Sequence, residues 1–157
     1  MKKIQWFLAL ALMVYVFASC TRDEEEENGG CGVSNVSAAN TSRSHNQGQN
    51  CLSCHRSEGS GKGCFTAAGT VYKTDGSIQP NTIIRLYTQP NGQGELRATI
   101  NGDNLGNFFT TNTINYSGGL YPAVQSASGE IAYMPSSITS GACNSCHNNS
   151  QNRIRVD

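Results

Sequence analysis

The chain has 157 residues and a mass of 16.8 kDa, room for one compact domain with short appendages. Charged residues make up 14%, with 11 Lys+Arg against 11 Asp+Glu, which argues against a generally basic nucleic-acid binder. The 17 Gly follow no three-residue period and no long heptad pattern occurs, so collagen and coiled coil are excluded, leaving seven Cys and three His as the unusual features.

Residues 1–19 predict an export signal. Lys2 and Lys3 form a positive start, Ile4 to Phe17 is an apolar run broken by Gln5, and the small Ala18 and Ser19 precede Cys20. The run is too short to span a bilayer comfortably, which takes about 20 residues. Val16-Phe17-Ala18-Ser19-Cys20 resembles a bacterial lipoprotein signal, in which the Cys becomes the first residue and is acylated. Phe17 departs from the aliphatic residue usual at its position, and plain secretion is the alternative.

Residues 20–30 read as a tether. Asp23 to Glu27 are five acids in a row, which repel one another and cannot pack. This stretch resembles the acidic export tag of surface lipoproteins in Bacteroidetes-type bacteria. The resemblances imply an outer-membrane lipoprotein of the cell envelope, held to the membrane by a lipid on Cys20 and facing the periplasm or the exterior. Beyond residue 27 the chain holds eight basic and six acidic residues, so the neutral total conceals an acidic tether and a weakly cationic remainder.

Residues 31–65 carry Cys51-Leu52-Ser53-Cys54-His55, and residues 136–157 carry Cys143-Asn144-Ser145-Cys146-His147. In an exported protein Cys-x-x-Cys-His reads as an attachment site for a c-type haem. The two thiols add across the vinyl groups, so they must lie about one turn apart, and the adjacent His then reaches the iron from the same side. Two such motifs use two of the three His, and predict two covalently attached haems on Cys51, Cys54, Cys143 and Cys146, with His55 and His147 as iron ligands. The competing readings are a four-cysteine zinc site, a thioredoxin-like dithiol and structural disulfides. The zinc reading leaves both His without a role and separates its pairs by 88 residues.

Low-spin electron-transfer haems take a second axial side chain, usually His or Met. His45 is the one His outside the motifs, and Met134 is the one Met beyond the signal. They are the candidate second ligands, the simplest pairing being His45 with His55 and Met134 with His147. A solvated loop for His45 and a strand core for Met134 are the plainer alternatives. With the lipid and haem cysteines assigned, Cys31 and Cys64 remain and pair by elimination as a disulfide bracketing the first motif.

From residue 66 to 135 short β-rich runs alternate with turn signals. The runs are Gly69–Tyr72, Thr82–Thr88, Leu96–Ile100, Gly106–Thr110, Tyr121–Gln125 and Glu130–Met134, punctuated by Asp75-Gly76, Pro90-Asn91-Gly92 and Asn101-Gly102-Asp103-Asn104. They predict a mainly β fold, an antiparallel Greek-key β-sandwich with irregular or short-helical haem-binding segments at both ends. Ala68-Gly69-Thr70-Val71-Tyr72, Thr82-Ile83-Ile84-Arg85-Leu86 and Gly106-Asn107-Phe108 resemble the carboxypeptidase regulatory-like (transthyretin-like) sandwich, a likeness that implies a fold and no catalytic residues. The order of His45, first motif, sandwich, Met134 and second motif is similar to that of bacterial dihaem cytochrome c lipoproteins. An even strand number would bring the two motifs to one end of the sandwich, and the runs count six or seven.

The expected role is extracytoplasmic electron transfer to redox partner proteins rather than substrate turnover, since no further acid, base or nucleophile constellation accompanies the motifs. The alternatives are a haem-free, disulfide- or zinc-stapled surface lipoprotein acting as a binding module, and a small haem sensor or peroxidase with His45 as its distal group.

Overall fold

The structure is a computed structural model that describes residues 30–147 and 152–157; the signal, Cys20 and all but the last residue of the acidic tether lie outside the described residues. Eight strands are present among the described residues. They are β1 (Ala67–Tyr72), β2 (Ile83–Tyr87), β3 (Leu96–Asn101), β4 (Asn107–Thr110), β5 (Tyr121–Gln125), β6 (Ile131–Tyr133), β7 (Gly141–Ala142) and β8 (Ile154–Arg155). One short helix, α1 (Cys143–Cys146), lies between β7 and β8, and a single 3-10 turn covers Cys51–Ser53.

Alternation drives the second sheet, ordered β3-β2-β5-β6 and antiparallel throughout. In β2 every second residue is buried, so Ile84 and Leu86 point inward while Ile83, Arg85 and Tyr87 stay half-exposed. The register sets Ile84 opposite both Ile100 and Val124, a continuous apolar row across three strands. Val71, Phe108 and Val156 of the first sheet close on that row to form the core.

The first sheet is ordered β4-β1-β7, with β8 also paired to β1. An isolated bridge from Gly102 to Phe108 carries β3 into β4 across the two sheets. β5 then returns beside β2, which gives the spatial order β5-β2-β3-β4 of a Greek key. The sandwich therefore has the expected mainly β architecture, and six of its strands coincide with the sequence runs to within a few residues.

Two findings differ from the sequence expectation. β7 and β8 run parallel to β1, in a fold otherwise antiparallel. They also lie beyond residue 135, so the C-terminal flank is part of the sandwich. The N-terminal flank joins it as well, since Val36 bridges to Thr110 and the Ser37 amide donates to the Phe109 carbonyl at 2.9 Å. Both flanks converge on β1, whose six residues are all buried. A strand covered on both faces is unusual for an antiparallel sandwich. Among the described residues no helix is long and apolar enough to cross a membrane.

Candidate functional site

The two Cys-x-x-Cys-His segments coil alike. The His55 amide donates to the Cys51 carbonyl at 2.9 Å, and the His147 amide donates to the Cys143 carbonyl at 2.9 Å. One helical turn thus gathers both thiols and the following imidazole. The Ser before the second cysteine repeats too. Ser53 Oγ donates to the Asn50 carbonyl at 2.7 Å and Ser145 Oγ to the Ala142 carbonyl at 2.6 Å, each bonding back three residues to the start of its turn. In both segments the first cysteine is half-buried and the second is exposed, and all four thiols are free. Burial raises the pKa of Cys51, and burial pushes Cys143 up to about 12, so both stay protonated thiols at neutral pH.

Each motif histidine meets a backbone carbonyl through Nδ1, His55 at Lys62 (3.0 Å) and His147 at Asn152. Such a bond selects the Nδ1–H tautomer and leaves Nε2 as the free donor atom on the opposite edge of the ring. His55 is buried between a stacked ring and a close-lying glycine. The Phe65 ring stacks on it at a centroid distance of 3.9 Å, and Gly61 covers its other surroundings so closely that a Cβ there would lie 2.6 Å from Nδ1. Phe65 in turn stacks on Phe109 of β4 at 4.8 Å. The His55 ring is therefore fixed to the sheet through an aromatic ladder.

The structure places His45 with its ring centroid 6.1 Å from that of His55, at an interplanar angle of 31°. Asn107 Nδ2 donates to the His45 carbonyl at 3.1 Å and to Ser44 Oγ at 2.9 Å, tying this loop to β4. Met134 follows β6 on the second sheet and His147 follows α1 on the first. Both line one cleft of about 230 Å³ between the sheets, with Ile84, Phe108 and Val124 in its wall and Arg153 among its other lining residues. Cys31 and Cys64 form a disulfide across a sequence separation of 33. Among the described residues no three His, Cys, Asp or Glu side chains converge as a metal-binding group.

Sequence reasoning missed the polar residues that seat the motifs. Asn144 and Asn107 are buried and both hydrogen-bond the buried Thr70 hydroxyl, and Phe65 and Gly61 frame His55. The repeated Cys-x-Ser-Cys-His pattern is a readable sign that both turns share one serine-to-carbonyl bond. Nothing in the spacing distinguishes Asn144 from Leu52, its counterpart in the first motif. No protein-family model, curated protein or solved structure matches this chain.

Proposed function

We propose that the chain is a membrane-anchored electron carrier that binds two c-type haems covalently, one at each Cys-x-x-Cys-His turn. The observation that carries the reading is the matched pair of His Nδ1–carbonyl bonds, on Lys62 and Asn152, each leaving an Nε2 available beside two free thiols. A haem held there supplies one-electron chemistry at its iron.

The donor set fits that group. The macrocycle brings four nitrogens of its own, so the chain need supply only one or two ligands to each iron and no cluster of four protein donors. His45 brings a second imidazole close to His55, at a centroid separation of 6.1 Å, and these two side chains would hold one iron. Met134 and His147 line the same cleft, so the thioether and the imidazole would be the ligands of the other iron. Both second-ligand candidates favour electron transfer over substrate turnover, which would need an open axial position. Export, acylation of Cys20 and the acidic tether would hold this redox head at the cell envelope, within reach of redox partner proteins.

Expression with c-type maturation machinery tests the proposal. The expected product is coloured, shows a reduced-minus-oxidised α-band and carries the mass of two haems. Replacing Cys51 and Cys54 by Ser removes one of them, and replacing Cys143 and Cys146 removes the other. A colourless protein of unmodified mass at all four cysteines overturns the reading and leaves a haem-free β-sandwich binding module.

A further inference from the structure

Asn144 stands between the two cysteines of the second motif, yet its side chain serves the first. It is 3% exposed, and its amide makes three hydrogen bonds. Oδ1 accepts from the Thr70 amide at 3.0 Å, Nδ2 donates to Thr70 Oγ1 at 3.0 Å, and Nδ2 also donates to the Gln49 carbonyl at 2.9 Å. The first of these fills a gap in the sheet. β1 pairs with β7 at Ala68 and with β8 at Val71, and the Thr70 amide lies between the two pairings. The last reaches across a sequence separation of 95 to a residue two places before Cys51.

Thr70 completes the junction. Fully buried, it donates through Oγ1 to Asn107 Oδ1 at 2.6 Å, and it accepts from the Gly48 amide at 2.9 Å as well as from Asn144. One hydroxyl on β1 thereby holds both motif segments. A buried network with its donors satisfied is stiff, because moving any member strands a polar group at a cost of about 1–3 kcal/mol.

We infer that Asn144 is a positioning residue that locks the two Cys-x-x-Cys-His turns to β1 at one fixed separation, so that the groups they carry behave as a coupled pair. The Gln49 carbonyl that accepts from Asn144 Nδ2 also accepts from the Cys51 thiol at 3.5 Å, so one backbone oxygen meets a side chain of each motif. The geometry stands on the side chains alone. What is coupled rests on the haem reading above.

The test has two arms. In the haem-free protein with Cys51→Ser and Cys143→Ser, a bifunctional maleimide should join the exposed Cys54 to the exposed Cys146 within one chain. Asn144→Ala should slow that reaction by about tenfold or more, as expected for losing three buried hydrogen bonds. Thr70→Val, which keeps the Asn144–amide bond but removes the shared hydroxyl, should slow it less. A wild-type pair that reacts only between molecules overturns the inference, whatever the variants do. In the haem-loaded full chain, the oxidised protein should show magnetic interaction between its two centres in paramagnetic resonance, weakened by Asn144→Ala with both haems still attached by mass. Two independent, unbroadened signals in the wild type also overturn it. Efficient cross-linking in a protein that never takes up haem supports the positioning role while removing the proposed function, so the two failures are distinguishable.

Discussion

The first motif segment is clamped onto the outside of the sandwich, whereas the second is woven into its edge. Cys51–His55 sits between the Cys31–Cys64 disulfide and an aromatic ladder of Phe65 and Phe109, with no strand of its own. Cys143–His147 follows directly from β7, and β8 then picks up β1 again where β7 leaves off. The bond from the His amide to the first Cys carbonyl, the Ser bond to the carbonyl three residues back and the His–carbonyl bond recur in both. The pentapeptide thus sets the chemistry of a turn, while its seating is free to vary. A segment rich in Asn, Ser and Gly with few apolar residues needs a covalent staple; a segment flanked by Gly-Ala and Ile-Arg can borrow a strand's hydrogen bonds.

The largest break in this comparison should come from the disulfide. Replacing Cys31 and Cys64 by Ser opens a loop with a sequence separation of 33, a loss of about 3–4 kcal/mol in the chain-entropy account. Amide exchange should accelerate across residues 51–65 and stay slow at Ile154 and Val156. Equal acceleration at both ends would mean that the two seats are not independent. Phe65→Ala comes next, at about 3 kcal/mol for a buried aromatic. It removes the ring stacked on His55 and should shift the His55 ring resonances while leaving those of His147 in place.

The second seat is broken at Gly141. A Cβ there would collide with the Thr66 carbonyl, the Ala67 Cα and the Tyr116 hydroxyl, because β7 lies against β1 backbone to backbone. Gly141→Ala should cost about 2 kcal/mol through forced separation. Its expected signature is faster exchange around Ala142 and His147 with the Phe65–His55 stack unchanged, checked by thermal unfolding and by the ring resonances. Loss of the His55 stack in this variant would show that the seats communicate more strongly than the Asn144 junction allows.

Turn chemistry and β-rich composition made the six longer strands legible, since Gly, Asn or Pro punctuates the segments between them, and β2 adds a strict alternation of buried residues. β7 and β8 were not legible. Each is two residues long, and what makes them strands is the neighbouring backbone of β1, not any preference of Gly-Ala or Ile-Arg. The Cys31–Cys64 pairing could be reached by counting cysteines, and the structure contains it. His45 and Met134 could be named from the inventory, but their nearness to His55 and His147 depends on loops whose course is set by Asn107 and by the gap between two sheets. The polar junction of Thr70, Asn107 and Asn144 is invisible in sequence for a physical reason. An Asn in a turn reads as solvated, and only tertiary burial turns it into a strand-completing group.

The smallest expected effect separates the two seats by pH. Asp157 lies beyond β8 and accepts from the Thr74 hydroxyl and, at 2.8 Å, from the Thr74 amide. The Thr74 hydroxyl bond, then the amide bond, hold its carboxyl below the ordinary value of 3.8. A carboxyl depressed on folding contributes stability above its unfolded value, and that contribution is lost as pH falls through the folded one. Acidification below 3.8 should therefore loosen β8 and the second seat before it affects the first. The group is exposed, so the change belongs in local amide exchange at Ile154 and Arg155 rather than in global unfolding. Asp75 titrates in the same window, because the Ser77 hydroxyl and amide lower its pKa as well. Thr74→Val removes the Asp157 hydroxyl bond and leaves the Asp75–Ser77 bonds in place, so it should flatten most of the pH response at β8. A response that survives Thr74→Val in full would assign it to the Asp75 turn and leave the C-terminal clamp without a part in seating the second motif.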